Sequence, residues 1–86
     1  MNNNLDILIY TTKNCSYCKK AKLLLKKYNQ KYIEKNINDN EDRIEMSKLS
    51  KGIRTVPQIF INGKHIGGYD EIFVLEKKGE LKKYFN

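Results

Sequence analysis

The apolar run Ile7-Leu8-Ile9-Tyr10 stops at Thr11, and within a few residues apolar side chains return at helical spacing as Cys18, Ala21, Leu24, Leu25 and Tyr28. A short continuous apolar run is the mark of a strand covered on both faces. A one-sided apolar stripe, with Lys20, Lys22, Lys26 and Lys27 on the remaining face, is the mark of an amphipathic helix. The chain therefore predicts a strand over Leu5–Thr11, after a frayed start at Asn2–Asn4, and a helix from Ser16 to Asn29. Tyr32–Asn38 predicts a second strand with Ile33 and Ile37 on one face, and Asn40–Ser50 a second helix. Glu41 and Asp42 suit the positive start of that helix, and Gly52 ends it. A βαβα order with short connections favours parallel pairing of the first two strands through a right-handed crossover.

The second half changes character. Val56-Pro57-Gln58-Ile59-Phe60-Ile61 reads as a third strand whose proline, lacking an N–H, must sit at its start. Asn62-Gly63 supplies the two positive φ angles of a tight hairpin, and Lys64–Gly68 returns as a fourth strand. Asp70 is the expected N-cap of a last helix carrying Ile72, Phe73 and Leu75, with Gly79 at C′ and a terminal helical turn over Glu80–Phe85. The predicted fold is α/β, a four-stranded mixed sheet in βαβαββα order with helices on both faces.

At 86 residues this is one domain spanning residues 1–86. A hydrophobic fraction of 40%, with six Tyr and three Phe, can build a core, and one Pro and five Gly argue against disorder. No apolar run approaches the roughly 18 residues of a membrane span. The net charge of +7 raises nucleic acid or an acidic membrane as a partner. Nearly all the cations are lysine, however, and Asn and Ile, which like Lys have A/T-rich codons, are also abundant. We read the excess charge as composition expressed on a solvated surface. Interleaved arginines and exposed aromatics of a nucleic-acid binder are missing, so neither nucleic acid nor membrane is an expected partner. The N-terminus lacks the pattern of a signal peptide, so a cytoplasmic, reducing location is expected.

In that setting two close cysteines, Cys15-Ser16-Tyr17-Cys18, are more informative than their number suggests. Residues at i and i+3 inside a helix hold their Cβ atoms about 5–6 Å apart, and a disulfide wants about 3.8 Å. Placing Cys15 at the non-helical cap and Cys18 in the first turn lets the bond close and reopen without large backbone movement. The same placement makes the sulfurs unequal. Cys15 lies at the unpaired N–H groups of the helix start, with Lys13 and Lys19 nearby, and these favour its thiolate. Cys18 points inward with Ala21 and Leu25. Cys15 is thus the expected nucleophile and Cys18 the resolving thiol. A structural zinc site is short of ligands, since His65 is the single histidine.

Two further motifs matter in company with the cysteines. Thr55-Val56-Pro57 allows a cis bond before the strand, leaving the Val56 backbone as a docking edge for an extended peptide; alone it is a plain strand-opening proline. Gly67-Gly68-Tyr69-Asp70 lets backbone approach a ligand closely, and the helix start behind it offers N–H groups to a carboxylate; alone it is a loop with an ordinary cap.

Together these three motifs resemble the glutaredoxin family, with its thioredoxin-like fold, from Leu5 to about Phe85. The chain looks like a small bacterial-type dithiol member; a thioredoxin would normally carry a tryptophan before its cysteine pair, and this chain has no Trp. The resemblance implies reduction of protein disulfides and protein–glutathione mixed disulfides, with glutathione as co-substrate and no obligatory metal. It also implies a monomer whose protein substrates include, as a family expectation, ribonucleotide reductase. Carried over by position, glutathione would meet Lys13, Tyr17, Thr55, Val56, cis Pro57, Gly68, Tyr69 and Asp70, with Arg43 at the glycine carboxylate. The family usually has Pro where Ser16 stands, and its lysine commonly falls at the place of Thr12, one before Lys13. Some members carry a cysteine where this chain has Tyr69. Members with Ser after the first cysteine include holders of a [2Fe–2S] cluster between two subunits, bound through one such cysteine and one glutathione per subunit. A cluster carrier using Cys15 is therefore the alternative.

Overall fold

The computed structural model describes residues 6–37, 40–53 and 55–85. The elements are β1 (Ile7–Thr11), α1 (Ser16–Lys27), β2 (Ile33–Asn36), α2 (Asn40–Leu49), β3 (Gln58–Ile61), β4 (Lys64–Gly67), α3 (Tyr69–Lys77) and a closing 3₁₀ turn over Leu81–Phe85. The expected βαβαββα order is present. Predicted positions Leu5 and Asn38, and the Asn2–Asn4 start, lie outside the described residues.

The sheet order is β2-β1-β3-β4, with β1 parallel to β2 and antiparallel to β3, and β3 antiparallel to β4. Side chains alternate across it. Ile7 and Ile9 of β1 and Ile59 and Ile61 of β3 face a core completed by Ala21 and Leu25 of α1, Ile72 of α3, Leu81 and Phe85. Tyr10 and Phe60 point the other way, against Met46 of α2 and Ile37. Helices therefore cover both faces: α1 and α3 one, α2 the other.

Several boundaries differ from expectation for local reasons. α1 ends at Lys27 rather than Asn29, because Tyr28 caps it and Asn29 turns left-handed at φ 57°. β3 pairs only from Gln58, since the Val56–Pro57 bond is cis and Pro57 has no N–H for the ladder. β4 stops at Gly67, where φ reaches +135°. Ile33 is 68% exposed although Ile37 is buried. It sits on the edge strand in a shallow apolar depression with Leu8, Leu49 and Phe60. Asn62 and Gly63 both take positive φ, as the hairpin requires. Gly79 follows the α3 cap Lys78 at φ 73°.

Two carboxylates tie elements together. Glu34 on β2 accepts from the buried Thr11 hydroxyl at 2.6 Å and from Lys22 of α1 at 2.9 Å. Glu76 of α3 accepts from Lys27 and from the Tyr28 hydroxyl at the end of α1. The Thr11 hydrogen bond, then that of Lys22, holds Glu34 below the usual carboxylate range, and Lys27, then Tyr28, does the same for Glu76. A carboxyl whose folded pKa is depressed stabilises the fold fully above its unfolded pKa and loses that contribution as pH falls through the folded value. The wild-type melting temperature is therefore expected to fall more on acidification below the carboxylate range than that of a Glu34→Gln/Glu76→Gln variant. Parallel thermal melts over pH check this.

Candidate active site

β1 delivers the chain to the sheet's end, and Asn14 turns it at φ 57° into α1. Cys15 is the N-cap of α1, extended at φ −104° and ψ 105°. Its sulfur accepts from the Cys18 N–H at 3.1 Å, the role an N-cap oxygen usually plays. Cys18, one turn in, is 1% exposed, whereas Cys15 is only half-buried. The two form a disulfide with Cα atoms 5.2 Å apart, inside the range such a bond accepts without backbone movement.

Beside this pair runs an open groove of about 400 Å³. Tyr17, Thr55, Val56, Pro57, Gly68, Tyr69 and Asp70, all singled out from the sequence, line it. Among the described residues, Val56 makes no backbone hydrogen bond. Neither cysteine is itself a lining residue, the groove reaching the pair through Tyr17 between them, and Lys13 and Arg43 do not line it either: Lys13 is exposed in the turn before Cys15, and Arg43 is half-buried on α2. Contrary to the expectation that exposed aromatics are missing, Tyr17 is 54% exposed and Phe73 42%; Tyr17 packs on Tyr69 at 5.6 Å between ring centroids, and Tyr69 in turn stacks on Phe73 at 5.7 Å.

The α3 start corrects one expectation. Asp70 is not the N-cap; Gly68 is, and Asp70 lies in the first turn behind Tyr69. Gly68 has no side chain to cap with, so Glu71 reaches back and its carboxylate accepts from the Gly68 N–H at 2.7 Å. Close packing explains the glycine. A Cβ at Gly68 would stand 3.0 Å from the Pro57 carbonyl oxygen, so the two motifs are in direct backbone contact across the groove floor.

Three groove residues escaped the sequence reading: Ile53, Gln58 and Glu71. Gln58 is 3% exposed. Its side chain joins His65 of β4 at 2.7 Å and donates to Thr55 Oγ1 at 3.4 Å. Burial pushes the His65 pKa below its ordinary value; nearby Glu71 opposes this and Lys51 adds to it. The Gln58 signal was available as a polar residue at an inward position of an otherwise apolar strand.

Residues 7–66 match the family model described as Glutaredoxin. The chain belongs to the glutaredoxin family. It is 48% identical over 79 residues to Glutaredoxin 1 of Rickettsia prowazekii, an alignment covering 90% of this chain and 83% of that one. Its fold superposes on the solution structure of a glutaredoxin from Brucella melitensis with a TM-score of 0.84 at 36% identity, covering 98% and 91% of the two chains. A buckwheat glutaredoxin–glutathione complex follows at TM-score 0.82 and 28% identity, covering 96% and 78%. This glutaredoxin is thus a thioredoxin-like thiol-disulfide oxidoreductase with Cys15-Ser16-Tyr17-Cys18 as its redox-active pair. Among the described residues no helix is long and apolar enough to cross a membrane, and no group of three or more His, Cys, Asp or Glu is placed to hold a metal ion.

Proposed function

We propose that the protein reduces glutathionyl mixed disulfides and protein disulfides at the expense of glutathione, as a monomer in a reducing cytoplasm. The observation that carries this is an asymmetric cysteine pair next to a groove lined by Tyr17 and by Val56, whose backbone is unpaired among the described residues. Family membership, and the glutathione in the buckwheat relative's complex, support the same ligand.

In the first reaction the Cys15 thiolate attacks the glutathione sulfur of a mixed disulfide. A Cys15–glutathione disulfide forms, and the substrate leaves as a thiolate that takes a proton from water. The thiolate of a second glutathione attacks the bound glutathione sulfur, giving glutathione disulfide and restoring Cys15. With a protein disulfide, Cys15 first joins the substrate, and Cys18, deprotonated, then attacks Cys15 to release it. That leaves the intramolecular disulfide, which two glutathiones reduce. Val56 would pair with the tripeptide backbone, Thr55 and Pro57 would flank it, and Tyr17 would lie along the sulfur. Gly68, Tyr69 and Asp70 would receive the γ-glutamyl end, with Asp70 facing its ammonium. Arg43 and Lys13 are proposed contacts for the glycine carboxylate from family position alone.

The test is a coupled assay with a glutathionyl mixed disulfide, glutathione and glutathione reductase. Turnover is expected with this substrate, and much slower turnover with a mixed disulfide of a small thiol lacking the γ-glutamyl and glycyl ends. Equal rates on both would overturn the glutathione reading.

A further inference from the structure

The groove lining contains a side-chain donor, Gln58, outside the three site motifs' proposed glutathione contacts. Gln58 and His65 sit diagonally across β3 and β4, where Phe60 is the register partner of His65 and the ladder slips between Ile59 and Phe60. The His65 ring packs on Phe60 at 4.9 Å between centroids, which fixes its plane. His65 Nε2 meets Gln58 Oε1 at 2.7 Å. An amide oxygen only accepts, so Nε2 carries the proton and donates. This points the Gln58 oxygen at His65 and leaves its NH₂ group on the side of Thr55 and the groove. One N–H reaches Thr55 Oγ1 at a long 3.4 Å. The other has no protein acceptor among the described residues, and the nitrogen lies 3.5 Å from where a Gly68 Cβ would stand. A nearly buried amide with spare donor capacity thus faces the ligand groove beside the α3 start.

We infer that Gln58 is a specificity-determining residue that donates a hydrogen bond to the α-carboxylate of a γ-glutamyl group, and that His65 is the positioning residue that fixes the direction of its amide. The inference rests on the proposed glutathione reading. A carboxylate fits because it offers about four acceptor sites, so the amide can add to whatever the helix start provides. Without His65 the amide can rotate and turn its oxygen toward the carboxylate, replacing attraction with repulsion.

The experiment uses the full chain and two substrates: a glutathionyl mixed disulfide, and its analogue with γ-aminobutyryl in place of γ-glutamyl, which lacks only the α-carboxylate. Gln58→Met and His65→Leu are each expected to raise KM about tenfold for the first substrate with kcat nearly unchanged. Both should leave KM for the analogue within about twofold of wild type, because the lost interaction is absent there. His65→Gln, which keeps an N–H donor at that place, is expected to restore KM. Should Gln58→Met fold poorly, the side-chain NH₂ resonances of wild-type Gln58 give an independent readout. They should shift on titration with S-methylglutathione and stay still with the γ-aminobutyryl analogue. Equal KM losses on both substrates, a fall in kcat alone, or unmoved Gln58 resonances would overturn the inference. If wild type itself does not prefer glutathionyl substrates to those lacking the tripeptide, the functional reading fails instead.

Discussion

Cys15→Ser is expected to abolish turnover on every disulfide substrate, while Cys18→Ser keeps reduction of glutathionyl mixed disulfides and loses reduction of protein disulfides. The difference follows from position. Cys15 is the half-buried N-cap, its sulfur already accepting a backbone N–H of the first turn, so negative charge there is stabilised by the helix start. A serine hydroxyl in its place has no comparable nucleophilicity. Cys18 is 1% exposed, too deep for direct attack on a bulky substrate but within reach of Cys15. In the proposed mechanism its task arises only when the substrate stays covalently held, which a second glutathione would resolve for the small ligand but not for a folded protein. Assays on one glutathionyl substrate and one protein disulfide separate the two cases. Equal losses in both variants on both substrates would contradict the division of roles.

Gly67→Ala is expected to destabilise the fold by about 3 kcal/mol, combining roughly 1–3 kcal/mol of backbone strain with a similar overpacking cost. Gly67 has φ +135°, and a Cβ there would stand 2.7–2.9 Å from Glu71 side-chain atoms, far inside contact distance. Glu71 must move, and with it goes the 2.7 Å bond from the Gly68 N–H that caps α3. For a chain of this size the change lowers the melting temperature by about 15 °C, and KM should rise because Gly68 and Tyr69 line the groove. Gly63→Ala is the control: φ is also positive at +80°, but nothing lies within 4 Å of its Cβ. Strain alone then costs about 1–2 kcal/mol. Truncating Glu71 in the Gly67→Ala background relieves the clash but not the strain, so the two changes should be non-additive. Thermal or urea melts of wild type, the two glycine variants, the Glu71 truncation and the double variant decide it, and equal losses at Gly67 and Gly63 would rule out the clash.

The sheet and its two covered faces were legible because strand and helix periods are intrinsic to the residues. Ile7, Ile9, Ile59 and Ile61 alternate with Leu8, Tyr10 and Phe60, and each set found its own helix layer. The three site motifs were legible as chemistry, and central β3 beside β1, with β4 leading into α3, explains why they converge. The α3 cap was misread because the sequence signal is a polar side chain at the cap itself, and Asp70 offered one. The cap here is a glycine, served from three residues downstream. Gln58 carried a signal as an inward polar residue, but its pairing with His65 was not legible, because it depends on an irregular register between β3 and β4 that no residue in either strand announces. Lys13 and Arg43 came from family position rather than from local physics, and neither lines the groove.

The start of α1 is what makes one sulfur the better anion, and titration of the reduced protein and its two single-cysteine variants by thiolate ultraviolet absorbance checks it. Cys15 is expected to ionise well below a free cysteine and Cys18 well above Cys15; both thiols ionising together at the free-cysteine value would leave the division of roles without a cause.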